Sequence, residues 1–268
     1  MNPCLHAAAV KSPPAGCLRR PVSHGFSLTE VLVVISIIIV IAAIAIPTMA
    51  RHRKSAANTQ AISNLKSLGA YVTLLEQDNP TGFTAWDYQP GHHETNWKGR
   101  LISSGLGQPE ELAKVTFSPA WNPKSATTSN GEIQPWFGFG LDTGSYNYQT
   151  DSKTGRTIYR LPRNLNLLEN PSSWILFIDS ISRRIGGNGD KTKNWQSVTV
   201  SLSGNSNSNQ NAEGVVHLRN NGRANALFVD GSVQALTPKD IRASLQRAGT
   251  STGPFIYWDE KLNEHTQN

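Results

Sequence analysis

The stretch that decides the fold reads Gly25-Phe26-Ser27-Leu28-Thr29-Glu30-Val31-Leu32-Val33-Val34 and continues, with no further charge, to Ile46-Pro47. Phe26 to Ile46 is 21 residues, and Glu30 is the only charged side chain among them. At about 1.5 Å rise per residue, a helix of that length covers roughly 30 Å, the thickness of a hydrocarbon core. The segment 26–46 therefore reads as a transmembrane helix with a carboxylate near its start. A carboxylate at the bilayer centre costs about 3 kcal/mol. Glu30 lies only about 6 Å along the helix from Phe26, so its cost is smaller. It still calls for a positive partner, and the segment supplies none.

A free amino terminus on Phe26 would be such a partner. The residues resemble the type IV pilin-like prepilins, including the pseudopilins of type II secretion. Their signature is Gly, usually Phe, then Ser/Thr-Leu-x-Glu and an apolar run; here it stands as Gly25, Phe26-Ser27-Leu28-Thr29-Glu30-Val31. The resemblance implies cleavage between Gly25 and Phe26 by a prepilin peptidase, N-methylation of Phe26, and pairing of Glu30 with the Phe26 amine of a neighbouring subunit during assembly. It implies four partners: the peptidase/methyltransferase, other pilin-like subunits, an assembly platform with its ATPase, and inner-membrane lipid. It implies a single-pass protein of the bacterial inner membrane with its C-terminal domain on the periplasmic or exterior side, destined for a pilus or pseudopilus. The flanking charges do not choose an orientation, since Lys11, Arg19 and Arg20 precede the run and Arg51, Arg53 and Lys54 follow it. The alternative is a secreted or membrane-anchored binding domain with an ordinary signal peptide, for which Ala43-Ile44-Ala45 offers a cleavage site. The long leading segment, Glu30 inside the run and the run's length count against it.

Domain organisation follows from these boundaries: a leader peptide over 1–25, a pilin-like helix over 26–79, and a soluble domain over 80–268. Three of the six net positive charges belong to the leader, as Lys11, Arg19 and Arg20 with no acid, which leaves +3 for the remainder. That is a poor basis for nucleic-acid binding. Cys4 and Cys17 both fall in the leader, so the processed chain has no disulfide. Its stability must come from a core, and the soluble part is long enough to build one.

Ala61, Leu65, Leu68, Val72 and Leu75 recur every three or four residues, one face of an amphipathic helix that ends at Asn79-Pro80. Helix is thus expected from Phe26 to Asp78. Residues 80–156 are rich in Gly, Pro, Asn, Ser and Thr and read as ordered loops, with short helical turns at Leu101-Ile102 and Glu110-Ala113. Strands are expected at Thr157–Leu161, Trp174–Asp179 and Val198–Ser203, with a polar loop over Gly204–Asn211. Ala224–Val229 and Ser232–Leu236 flank Asp230-Gly231, which predicts a hairpin with a type I′ turn. Thr237-Pro238-Lys239-Asp240 opens a helix that runs to about Ala248, Pro254–Trp258 is an expected edge strand, and the tail after Asp259 reads as frayed. The fold class is α+β: a long N-terminal helix packed on a C-terminal antiparallel sheet domain with long loops.

The C-terminal part carries a second resemblance, to a group of pilin-like proteins with a closing motif of His, nine residues and Asp-Gly, usually followed by His-Val. Asn225, Phe228, Asp230 and Gly231 match it, whereas Asn220 and Ser232 stand in place of the two histidines and His217 is three residues early.

Enzyme chemistry is not legible. No Ser/His/Asp order, zinc signature or phosphate loop is present, and no cofactor is implied. His92-His93-Glu94 lacks further ligands at usable spacing and reads as a surface loop. Asp179, His217 and Asp230 are the ionisable residues that could meet. Asp179, Asp230 and Gly231 serve either turn geometry or a cation site, and the ion such oxygen ligands suit is calcium.

Overall fold

In the computed structural model the described residues are 26–78, 86–87, 95–106, 109–121, 138–142, 147–150, 157–160, 165, 168–183, 191, 196–197, 199–200, 202, 214–249 and 253–267. The chain divides into two compact units, Met1–Met49 and Ala50–Asn268. Helix α1, Leu28–Asp78, contributes to both. The short elements that follow are β1 (Trp86–Asp87), β2 (Thr95–Asn96), α2 (Trp97–Ser103), α3 (Pro109–Val115), β3 (Gly140–Asp142), β4 (Asn147–Thr150) and β5 (Thr157–Arg160). The C-terminal half comprises β6 (Ile175–Ile178), β7 (Ser180–Ser182), β8 (Thr199–Val200), β9 (Gly214–His217), β10 (Ala224–Phe228), β11 (Val233–Leu236), α4 (Pro238–Arg247), β12 (Phe255–Trp258) and β13 (Glu264–Gln267).

In the first unit, the large apolar side chains from Val31 to Ile46 are 46–69% exposed. Among the described residues of that unit they meet no core. The helix is long and apolar enough to cross a membrane.

In the second unit, the apolar stripe behaves as its spacing predicts. Ala61, Leu65, Leu68, Val72 and Leu75 are all buried, against Trp97, Leu101, Leu112, Phe139, Phe177 and Leu227. Full burial of one such leucine contributes about 1.5–3 kcal/mol. The Trp97 and Phe177 rings meet with centroids 4.7 Å apart. Gly69 lets α1 approach the sheet closely: a Cβ there would stand 3.2 Å from both Leu227 methyl carbons.

Two larger sheets carry the unit, one ordered β11-β10-β6-β3-β8 and the other β13-β12-β9-β7. Pairings are antiparallel except β3 with β8 and β9 with β12, so the domain is α+β with mixed sheets. In β10, Leu227 faces the α1 core, while Ala224, Ala226 and Phe228 join Leu236, Ile241, Leu245 and Phe255 in a second core beneath α4. Helix α4 has the expected box: Asp240 N–H donates to Thr237 Oγ1, and the Thr237 N–H donates to Asp240 Oδ2.

Several expectations are corrected. Helix α1 begins at Leu28, not Phe26, because Ser27 is spent as its cap. Residues 80–156 contain strands β1 to β4, each of two to four residues, too short to show a period. Strand β12 is not an edge: it lies between β13 and β9. The tail is not frayed but forms β13, which pairs with β12 through Phe255↔Gln267 to Trp258↔Glu264. Polar contacts fix it: Trp258 Nε1 donates to Glu264 Oε2 at 3.0 Å, and the Tyr257 and His265 rings stack at 5.2 Å.

The hairpin at Asp230-Gly231 forms, but its turn is not type I′. Gly231 has φ +82°, while Asp230 is absent from the residues with positive φ. The Gly231 N–H donates to Phe228 O, and the Phe228 N–H donates to Ser232 O. That is a three-residue loop closing on a left-handed glycine. The geometry expected there occurs instead at Asn221-Gly222, with φ +53° and +73°, between mutually bonded Asn220 and Arg223. His92-His93-Glu94 and Gly204–Asn211 lie outside the described residues.

Candidate functional site

The start of α1 supplies Glu30 with uncharged hydrogen-bond partners. The Ser27 N–H donates to Glu30 Oε2 at 2.8 Å, and the Glu30 N–H donates to Ser27 Oγ at 3.2 Å. This is a reciprocal capping box, satisfying two amide groups that a helix start leaves open. The Ser-x-x-Glu spacing was the signal in the sequence. Phe26 precedes the box and is 86% exposed. Only one Glu30 oxygen is engaged in these bonds, so the carboxylate retains capacity to accept from a second donor.

Two residues of the C-terminal stretch, Asn220 and Asn225, assemble around Asp179, which follows β6 and is fully buried. Its Oδ2 accepts from the Asn225 N–H at 2.8 Å and from Asn220 Nδ2 at 3.2 Å. Its Oδ1 lies 3.8 Å from Arg219 Nε, in a pair whose side chains are 0% and 3% exposed. Arg219 Nη2 donates to the Ser180 carbonyl. Asn225 Nδ2 in turn donates to Asn58 Oδ1 on α1 at 2.7 Å. The backbone joins in, with the Asp179 N–H donating to Asn225 O and the His217 N–H donating to Asp179 O. The network thus ties β6, β9, β10 and α1 together.

Burial pushes the Asp179 carboxyl above the usual range, against the opposing pull of Arg219 and the Asn225 N–H. Burial lowers the Arg219 pKa, against the pull of Asp179. Burial, and then the like charge of Arg219, hold His217 well below its ordinary 6.5, so its ring is neutral at neutral pH. That ring packs edge-on against Trp121 at 4.8 Å.

The three groups expected to meet do not all do so. Asp179 and His217 are neighbours, but Asp230 lies at the other end of β10, where its exposed Oδ1 accepts from the Ser232 N–H at 2.9 Å. The five steps from Asn225 to Asp230 span about 16 Å at strand rise. Asp179, Asp230 and Gly231 therefore form no common cation site. Among the described residues no group of three or more His, Cys, Asp or Glu side chains could hold a metal ion. Arg219 and Asn58 were missed in the sequence because their partners lie far away in the chain.

Residues 20–46 match the sequence model of the prokaryotic N-terminal methylation motif. The match indicates prepilin-type processing, and it implies a prepilin peptidase and pilin-like neighbours. No curated protein and no solved structure matches the chain. The methylation motif spans the Gly25-Phe26 junction, the capping box and the apolar run, so the matched segment coincides with the N-terminal site.

Proposed function

We propose that the chain is a structural subunit of a type II secretion pseudopilus or type IV pilus-like filament, non-catalytic and working without a cofactor. The observation that carries the reading is the exposed apolar helix with one carboxylate, Glu30, four residues beyond Phe26. The helix stores the subunit in the inner membrane and becomes filament core when it is extracted. Apolar packing between subunits then replaces lipid contacts. Glu30 sets the stagger by accepting from the Phe26 amine of a neighbour, a role in which a buried charge pair contributes register.

Two measurements test this together. Intact mass of the membrane-fraction protein should give a chain starting at Phe26 with one added methyl group. Shearing of cells carrying the complete assembly machinery should release the protein as filaments. A chain starting at Ile46 would establish an ordinary signal peptide, and correct processing without filaments would refute the subunit role.

A further inference from the structure

Beside the Asn221-Gly222 turn, the second unit has a groove of about 580 Å³. Arg51, Lys54 and Asn58 of α1 line it together with Asn221 and Arg223 of the turn. None of the described lining residues is acidic. Lys54 is held in place, donating to Asn221 Oδ1 at 3.1 Å and to Glu260 Oε2 at 2.7 Å. Glu260 is engaged by that contact and by the Gly222 N–H at 3.2 Å. Arg51 and Arg223 are exposed and make no ion pair among the described residues. Asp240 is near enough to feel the charge of Arg223, but its carboxylate is committed to the Thr237 cap. Two arginines with no ion-pair partner among the described residues therefore line one groove that also carries asparagine amides.

We infer that this groove binds the phosphodiester headgroup of an anionic phospholipid. Guanidinium forks suit phosphate oxygens, and the neighbouring amides suit glycerol hydroxyls. Chain connectivity identifies the source. Arg51 follows Ile46 by five residues, which span at most about 18 Å even when fully extended. If the 26–46 run lies in a bilayer, its phosphates are the nearest concentrated anions. The inference rests on that membrane placement and not on the filament role.

The test uses the full processed chain in neutral detergent, titrated with phosphatidylglycerol or phosphatidylcholine and read by native mass spectrometry. Phosphatidylglycerol should be retained in preference to phosphatidylcholine. Arg51→Gln or Arg223→Gln should each weaken its binding about fivefold, and the double variant about 25-fold, as expected for one surface cation at a time. Lys239→Gln, which removes an exposed cation outside the groove, should change nothing. Equal retention of the two lipids, or parental affinity in the double variant, overturns the proposal. Displacement by inorganic phosphate at equal concentration would make this a free-phosphate site and overturn the lipid assignment. Both arginine variants should stay in the membrane fraction, since anchoring belongs to 26–46; their loss from it would overturn this division of roles.

Discussion

Replacing Glu30 with Gln separates two roles that one side chain combines. The Ser27 N–H bond at 2.8 Å needs an acceptor at Glu30, and an amide oxygen serves as well as a carboxylate. The capping box should therefore survive in Glu30→Gln and be lost in Glu30→Leu. Loss of such a cap costs about 1 kcal/mol, or roughly fivefold in a local equilibrium. Loss of the charge costs more if Glu30 is the partner of a neighbour's amine within an apolar bundle. An unpaired buried charge costs about 3–5 kcal/mol, which is two to three and a half powers of ten in subunit association. Both variants should be cleaved and kept in the membrane, with Glu30→Leu inserting slightly more easily because an expensive group is gone. Both should fail to assemble, while Glu30→Asp is partly defective. The assay is filament recovery by shearing beside a membrane-fraction blot and intact mass. Parental filament yield from Glu30→Gln would refute charge pairing and leave Glu30 only its cap.

Gly25→Val should block processing, seen as an uncut chain by intact mass. Asp179→Ala should destabilise the second unit by about 3–5 kcal/mol in denaturant titration, because it leaves Arg219 buried without its carboxylate and orphans the Asn225 N–H. His217 gives a pH dependence of known sign. Its folded pKa lies below the unfolded value, so both states are neutral above about pH 6.5, and below it the unfolded chain takes the proton first. Stability should fall by up to about 1.4 kcal/mol per pH unit below pH 6.5, and the slope should be missing in His217→Phe. A polypeptide beginning at Ala50 should fold as a monomer whose melting temperature is indifferent to reducing agent and to chelator; a fall in chelator would revive a cation site.

The parts of the fold legible in the sequence were those with a long period or a local rule. The α1 stripe repeats over 15 residues, β6 is an unbroken apolar run, and the Thr237–Asp240 box is contained within four residues. The segment 80–156 was opaque because its strands are too short to show alternation. Strand β13 was opaque because Glu-His-Thr-Gln has no apolar face, and its order comes from contacts with Trp258 and Tyr257. At the N-terminal site the lone charge in an apolar run is legible in the sequence, and so is the serine three residues before Glu30 that caps it. The Asp179 network required a partner 40 residues away and another on α1, which no local rule supplies.

The Asn225–Asn58 bond also has a consequence in time. Its two ends are 167 residues apart, and the α1 stripe is covered in part by Leu227 from the same strand. At about 5–20 residues per second, a ribosome needs roughly 8–33 s to make the second end after the first. For that interval Leu65, Leu68 and Val72 exist as an unclosed apolar stripe. The domain cannot complete itself from its N-terminus forward, and the last third of the polypeptide decides when the first part becomes safe from aggregation.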